Sequence, residues 1–513
     1  MKLSDYAKND NNKVFRALPY QHFANKSKLK TIDTLFQLYR KDANIIFKHI
    51  WKKFIKSKTV ITQRENIKEL KTTLSERYKY TIFTYLVYPT YISYLELAKD
   101  YIKNLITNSK LDTETKLILY VLNKRALWLN PPDEINIKIK KEDKEEIKTY
   151  KVDNQNKKLI KKLFHRYLKT NKLPKLKNTP LIIDNKTGEL QQSKTSRKFK
   201  QWIRLSTHIK RQVIYIPVEE TKYYNQRKGK DTNIFHIVKN ELGTIEIKRV
   251  KEIQIKPQEE KETENIIALD FGLKSLFTTN KGDLFGRNFF EKIKDYANKI
   301  DKLQRNLQRQ NKKPKQSKKY IKLNFKLKEY IKNEIRRIIN RIVDLHKPSI
   351  IVVENLKNFL KEVINSFPKS VKIVLIRIGR KEIKKKLQEL QQEYGIQIVE
   401  INPAYTSQTC NNCGYVDKEN RKTQEQFECR LCGYKLNADV QASRNLIKRF
   451  DKRMLVYGKK QALKLQIEEF IANLQLERYK CLWSKARGLL TQNPYFKDYL
   501  SDSLLTRCID GYS

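Results

Sequence analysis

The sequence predicts a multidomain α+β protein with a helical lobe, a β-rich barrel-like domain, and an α/β domain of short buried strands interrupted by a cysteine ribbon. Three observations carry that expectation. Amphipathic helical periodicity dominates the first part of the chain, and short alternating strands take over near residue 195. From residue 266, unbroken apolar runs of strand length alternate with long helical stripes. A chain of 513 residues has room for about two to four domains, each with its own core.

Lysine and arginine number 109 against 56 aspartates and glutamates, a formal net charge of +53 and an isoelectric point near 9.9. That excess exceeds what solubility needs and points to a polyanion, nucleic acid above all. A basic membrane-surface protein would want a lipidation signal or a strongly amphipathic anchor, and the opening MKLSDYAKND has neither. The most apolar run, Ile82 to Ala98, is broken by Pro89 and Glu96 and reads as a buried helix pair rather than a membrane span. Outside one four-cysteine cluster only Cys481 and Cys508 remain, so no disulfide framework is expected and a reducing, intracellular compartment follows.

Along the chain, Leu35, Tyr39, Ala43, Ile46, Phe47, Ile50 and Phe54 recur at helical spacing, which predicts an amphipathic helix over about 31–56 with a basic outer face. A tyrosine-rich helical region covers about 78–108. Its Tyr85, Tyr88, Tyr91, Tyr94 and Tyr101 read as core, with stacking on bases as the competing role. The charged stretch Lys138 to Lys158 reads as a solvated connection. Val213 to Val218, Ile234 to Val238 and the alternation Ile245, Ile247, with a turn at Asn240 to Gly243, predict a hairpin-rich barrel or small sheet. The polar stretch Pro257 to Asn265 reads as a linker.

An apolar run then ends in an acid, Ile266-Ile-Ala-Leu-Asp270, followed by Gly272, a strand at Ser275 to Thr279 and a turn at Asn280 to Asp283. The same grammar recurs in Ser349-Ile-Ile-Val-Val-Glu354. Burying an acid at a strand end is costly without compensation, so two such coincidences suggest one site. Asp439, in Asn437-Ala-Asp-Val-Gln-Ala-Ser-Arg-Asn-Leu446, opens a helix with the apolar face Val440, Leu446 and Ile447. Singly, each acid would pass for a turn or cap residue. Together, three carboxylates from two strands and a helix could hold two hard divalent ions, Mg²⁺ by preference, for phosphodiester chemistry.

Just before Asp439, Cys410, Cys413, Cys429 and Cys432 form two C-x-x-C pairs, each closed by a glycine, Gly414 and Gly433. Such turns bring four thiolates onto a tetrahedral Zn²⁺, and the glycines suit the backbone reversals; paired disulfides or unrelated thiols are the alternatives. Zinc of this kind is more often a structural staple than a catalyst. Between the first two acids, residues 302–328 carry eleven Lys or Arg and no acid, broken at Pro314, which favours backbone contacts to nucleic acid over a merely solvated face. Ile331, Ile335, Ile338, Ile342 and Leu345 then predict a helical stripe against the sheet, with Arg336, Arg337 and Arg341 pointing away.

The ordered set Ile-Ala-Leu-Asp270-Phe-Gly-Leu-Lys-Ser, Ile-Val-Val-Glu354-Asn-Leu, Tyr405-Thr-Ser-Gln-Thr-Cys410-Asn-Asn-Cys413-Gly, Cys429-x-x-Cys432-Gly and Asn437-Ala-Asp439 resembles the transposon-encoded TnpB family and its relatives, the miniature type V CRISPR effectors. The resemblance covers about residues 263 to 450. It implies an RNase H-like RuvC nuclease with an inserted zinc ribbon and RNA-guided cleavage of DNA beside a short adjacent motif. Asp270, Glu354 and Asp439 would be the catalytic, Mg²⁺-binding acids, and the four cysteines the zinc ligands. Where the family commonly has Asn followed by Ala-Ala, this chain has Gln441-Ala442-Ser443.

The implied layout is an N-terminal wedge segment (1–30), a helical recognition domain (31–175), and a β-rich wedge domain with linker (176–262). The first part of the nuclease domain (263–405), the ribbon (406–436), the last nuclease helix (437–450) and a helical extension (451–513) follow. Implied partners are a guide RNA and double- and single-stranded target DNA, bound by a monomer or a homodimer on one RNA, in the nucleoid-bearing cytoplasm of a prokaryotic cell. An RNA-guided binder or repressor that does not cut, and a guide-independent RuvC-like nuclease, are the rival readings.

Overall fold

The computed structural model describes residues 13–141, 144–193, 196, 198–256, 265–272, 274–355, 367–423, 425–451, 459–474 and 483–496. The first twelve residues, most of the expected linker (257–264), Cys481 and Cys508 lie outside that set. The chain divides into two compact units, Met1–Gln254 and Ile255–Ser513.

In the first unit, strand β1 (Lys13–His22) precedes the long helix α1 (Lys26–Ser57). Asn25 caps α1 by accepting a hydrogen bond from the Lys28 amide at 3.0 Å. The apolar face expected from Leu35 to Phe54 is buried. Asp42 is buried within it and accepts from the Thr73 and Leu74 amides at 3.0 and 2.7 Å. The apolar run 82–98 is one helix rather than a pair: α2 (Glu76–Ile82) passes through a π-turn at Phe83–Val87 into α3 (Tyr88–Thr107). Pro89 has no amide to donate, and the π-turn beside it absorbs the missing bond without ending the helix. Tyr88, Tyr91 and Tyr94 are core, Tyr101 packs on Tyr167 with ring centroids 5.5 Å apart, and Tyr85 is exposed.

Helix α4 (Thr113–Lys124) is followed by a hairpin, β2 (Glu134–Lys141) against β3 (Lys144–Lys151), and by α5 (Asn154–Thr170). Among the described residues, the stretch expected to be a solvated connection thus carries both strands of this hairpin and the start of α5. Ile135, Ile137 and Ile139 alternate with period two, a strand signal hidden by the charges between them.

Six further strands join β1: β4 (Leu181–Ile183), β5 (Gly188–Gln192), β6 (Gln201–Ser206), β7 (Val213–Glu220), β8 (Lys230–Lys239) and β9 (Ile245–Gln254). They form an antiparallel sheet in the order β4-β8-β9-β1-β7-β6-β5. Its edge strands, β4 and β5, are consecutive in sequence, so a short turn brings the edges together and the sheet curls almost into a barrel. A Cβ at Gly188, where the edges meet, would lie 2.7 Å from Ile183 Cγ2 and 2.8 Å from the Arg204 carbonyl oxygen.

In the second unit, β10 (Ile266–Asp270), β11 (Phe277–Thr279), β12 (Leu284–Phe285), β13 (Ile350–Glu354) and β14 (Gln397–Ile401) form one sheet in the order β12-β11-β10-β13-β14. Strands β10, β13 and β14 run parallel, whereas β11 and β12 turn back antiparallel. Helices α6 (Phe289–Arg309) and α7 (Lys318–His346) lie between β12 and β13 in sequence, and α8 (Arg380–Tyr394) precedes β14. The expected stripe on α7 is buried as far as Ile342, but Leu345 is 60% exposed where the helix runs out. Arg336 does not point to solvent either. It pairs with Glu382 and Glu389 on α8, two buried acids that need a cation.

The ribbon follows β14 and contains β15 (Gln426–Glu428) and β16 (Lys435–Asn437), and β16 runs directly into α9 (Ala438–Asp451). Strand periodicity sorts the sheet's side chains into two cores. Ile267, Leu269, Ile351 and Val353 pack with α6, α7 and α8, while Ala268, Ile350 and Val352 pack with Leu446 of α9. Two further helices, α10 (Lys459–Leu474) and α11 (Trp483–Gln492), share a core with the ribbon. No described helix is long and apolar enough to cross a membrane.

Candidate active site

Asp270 ends β10 and Glu354 ends β13. These strands are parallel neighbours with Leu269 opposite Val353, so both acids finish at the same edge of the sheet. Parity then selects the face. Asp270 lies two residues after Ala268, and Glu354 two after Val352, which places both on the α9 side. Asp439 reaches that place from the first turn of α9, where the Asn437 side chain accepts from the Asp439 and Val440 amides at 3.0 and 3.2 Å. A Cβ at Gly272 would lie 2.5 Å from Asp439 Oδ2 and 2.9 Å from the Ser275 carbonyl oxygen, so the turn after β10 passes directly against that carboxylate.

The Asp270 carboxyl senses both of the other acids. Burial raises the Asp270 carboxyl well above the ordinary carboxylate range, and the negative charges of Glu354 and Asp439 raise it further, with Arg421 opposing. Asp439 is also raised, chiefly by burial, while Arg421 pulls it down. Arg421 Nη2 lies 3.2 Å from Asp439 Oδ1. Like charges held in a buried place favour a divalent cation, and carboxylate oxygens are the hard donors that Mg²⁺ takes. The donor chemistry therefore fits, although the three carboxylates do not close into a cluster as tight as that of the thiols.

Both cysteine turns have the same construction. The Cys410 amide donates to the Tyr415 carbonyl at 2.9 Å and the Gly414 amide to the Cys410 carbonyl at 3.0 Å; Cys429, Tyr434 and Gly433 repeat this at 2.9 and 2.9 Å. Gly414 and Gly433 sit at φ +85° and +71°, the left-handed conformation that the reversal needs. All four sulfurs lie within 4.8 Å of one another, with Cys413 and Cys429 at 3.6 Å and Cys410 and Cys432 at 3.7 Å. A tetrahedron with Zn–S bonds of about 2.3 Å has edges of about 3.8 Å, so the donor set fits zinc. These residues are free thiols, not disulfides.

Polar ties lace α9 to the base of the ribbon. Gln441 Nε2 donates to the Thr409 carbonyl at 2.7 Å, and Asn445 Nδ2 donates to the Thr406 and Thr409 carbonyls at 2.7 and 2.8 Å. Gln441, the departure from the family pattern, is thus a buried tie between the helix of Asp439 and the first cysteine turn.

Two families match the chain at this site. The one described as "Probable transposase" covers residues 244–358, with Asp270 and Glu354, and "Cas12f1-like, TNB domain" covers residues 381–446, with the cysteines and Asp439. The chain is a relative of the TnpB and Cas12f1 families. A CRISPR-associated endodeoxyribonuclease Cas12f1 of Sulfoacidibacillus thermotolerans is 45% identical over 65 residues, 13% of this chain and 15% of that protein. InsQ of Escherichia coli (strain K12), provisionally designated an RNA-guided DNA endonuclease, is 42% identical over 69 residues, 14% of this chain and 17% of that protein. This TnpB and Cas12f1 relative therefore spans less than a fifth of the length of these curated proteins. Among solved structures, a Cas12f1–sgRNA–target DNA complex aligns over 85% of this chain and 98% of its own at 16% identity, with a TM-score of 0.26. A score that low carries no argument.

Two residues at the site of this TnpB and Cas12f1 relative escape sequence reasoning. Arg421 is one cation among 109 Lys and Arg, and nothing in its neighbourhood sets it apart. Gly272 was visible as a glycine after a strand-end acid, but its closeness to Asp439 depends on a contact across 167 positions of sequence.

Proposed function

We propose that this protein is an RNA-guided DNA endonuclease. It would hydrolyse target DNA beside a short adjacent motif at a single two-metal site of RuvC type in an RNase H-like domain. The observation that carries this reading is that Asp270 and Glu354 end neighbouring parallel strands on the face covered by the helix of Asp439, and that burial and the charges of the other two acids raise the Asp270 carboxyl. The family matches, which span all three acids, and the net charge of +53 support it.

Asp270, Glu354 and Asp439 would hold the divalent ions. When bound, such ions neutralise charge on the phosphate and lower the pKa of an attacking water. The chain's own residues fix the geometry. The sheet register aligns the Asp270 and Glu354 oxygens, Asn437 holds the first turn of α9, and Arg421 brings a cation beside Asp439 where phosphate charge would develop. Water adds to phosphorus, the P–O3′ bond breaks, and the products are a 5′ phosphate and a 3′ hydroxyl. The zinc ribbon would act as a structural staple that sets Asp439.

The test is expression with native flanking DNA, sequencing of the copurifying RNA, and assay of a DNA target complementary to it. A discrete RNA and Mg²⁺-dependent cleavage of the matched target are expected. Repeat-spacer RNAs would identify a CRISPR effector, and a single RNA from a transposon end the TnpB role. Cleavage of branched DNA by RNA-free protein would overturn the guided mechanism, and target binding without cutting would leave a repressor.

A further inference from the structure

Helices α10 and α11 lie outside both family matches, which end at residue 446. They nevertheless complete the ribbon. Its own apolar residues, among them Tyr415, Val416, Phe427 and Leu431, share one core with Ile467 and Phe470 of α10, Ala486 and Leu490 of α11, and Phe496. The buried Tyr415 ring stacks on Phe496 at 5.8 Å and 10° and meets Phe470 at 5.4 Å. Helix α10 also passes close over the first cysteine turn, since a Cβ at Gly414 would lie 2.9 Å from Asn473 Nδ2. At Gly433, the equivalent glycine of the second turn, a Cβ would meet nothing within 4 Å.

The decisive residue is Asn493, just after α11 and only 4% exposed. Its Nδ2 donates to Tyr415 Oη at 2.9 Å and to the Val416 carbonyl at 3.0 Å. Tyr415 Oη in turn donates to Asp417 Oδ2 at 2.9 Å, and Asp417 Oδ1 accepts from the Glu419 amide at 2.9 Å. Asn420, fully buried, donates to the Gln408 and Tyr415 carbonyls at 3.0 and 3.2 Å. The next residue is Arg421, whose guanidinium reaches Asp439. Buried hydrogen bonds thus tie Asn493 to the 417–420 turn, and the chain passes directly from Asn420 into Arg421, which pairs with the acid in the candidate active site.

We propose that residues 459–474 and 483–496 form a positioning clamp for the cleavage centre. It locks the 417–421 turn through Asn493 and so holds Arg421 against Asp439. Asn493 and Tyr415 are positioning residues that touch neither metal nor DNA, and they act through Arg421. A buried polar network that is fully satisfied rigidifies what it joins, and removing one member leaves the others unpaired. The proposal rests on the nuclease reading for its functional consequence, while the clamp itself can be observed without cleavage.

The experiment compares full-length wild type, Asn493→Ala and Tyr415→Phe, each loaded with guide RNA, in three readouts: zinc content, single-turnover cleavage against target affinity, and amide hydrogen exchange across 417–421. Both variants are expected to keep zinc and target affinity, to exchange faster at 417–421, and to cleave about tenfold more slowly. In an Arg421→Ala background, Asn493→Ala is expected to slow cleavage no further, as a double-mutant cycle requires of residues acting in series. Unchanged exchange at 417–421 in both variants would overturn the clamp, as would an equal loss of rate with and without Arg421. Tyr415→Phe keeps the ring stack and serves if Asn493→Ala does not fold. If wild type does not cut, the nuclease reading fails, while faster exchange in the variants still supports the clamp and unchanged exchange still rejects it.

Discussion

The candidate active site is held from two sides by scaffolds of different kinds. On the sheet side, Asp270 and Glu354 end strands packed between two apolar cores, and their register is fixed by backbone pairing over several residues. On the ribbon side, Arg421 belongs to, and Asp439 directly follows, a small module whose strands β15 and β16 are three residues each, with a core supplemented by α10 and α11. A hydrophobic sheet tolerates a charged strand end because the rest of the strand pays for it. The ribbon has too little core for that and relies on four thiols, buried amide hydrogen bonds and borrowed aromatic rings. Damage to the two sides should therefore differ in character.

The largest effect is expected at the sheet side, from Asp270→Asn. With Asp270 holding metal as proposed, its removal forfeits several kcal/mol of transition-state stabilisation, so cleavage should fall on the order of a thousandfold or more. Stability should move the other way. The Asp270 carboxyl is raised in the folded state, so its favourable contribution to folding is complete below the ordinary carboxylate pKa and is lost as pH rises through the folded value. Near neutral pH without added divalent ion, the neutral amide should raise the thermal midpoint. A lowered midpoint would show that the carboxylate is not under strain.

Next in size is Cys413→Ser on the ribbon side. Zinc should be lost, and cleavage should fall by about a hundredfold because Asp439 and Arg421 lose their frame. Circular dichroism should show the sheet and long helices largely intact. Retained zinc and activity would remove the ribbon's role, and collapse of the whole second unit would erase the contrast between the sides.

Gly272→Ala probes the seam between them. The added methyl would meet the Asp439 carboxylate at 2.5 Å, so we expect about a tenfold loss of rate and a destabilisation of about 1–3 kcal/mol, measured by single-turnover cleavage and denaturant titration. The smallest effect separates the two cysteine turns. Alanine at Gly414 or Gly433 incurs left-handed strain of about 1 kcal/mol. At Gly414 it also meets Asn473, so its thermal midpoint should fall further by a few degrees. Equal shifts would mean that α10 does not bear on the first turn.

The two sides also differed in how far they could be read from sequence. The apolar runs into Asp270 and Glu354 are local signals, as are the four cysteines at their fixed spacing, and none of them needs tertiary information. Arg421 and Asn493 are ordinary polar residues whose contacts arise only after the ribbon folds. The hairpin at 134–151 was missed because its lysines and glutamates outweighed the alternation of Ile135, Ile137 and Ile139. Arg336 was read as solvent-facing because the acids that claim it lie 46 and 53 positions away. Pro89 was read as a break because no local rule announces a π-turn.

The borrowed core of the ribbon carries a consequence for the timing of synthesis. Translation delivers Asp270, Glu354 and Asp439 before it delivers Phe496, the ring on which Tyr415 stacks. At about 5–20 residues per second, the stretch from Asp439 to Phe496 takes roughly 3–11 seconds to make. During that interval the growing chain holds all three acids while the ribbon's core is unfinished. The module beside Asp439 therefore reaches its full core only after the chain through Phe496 has left the ribosome.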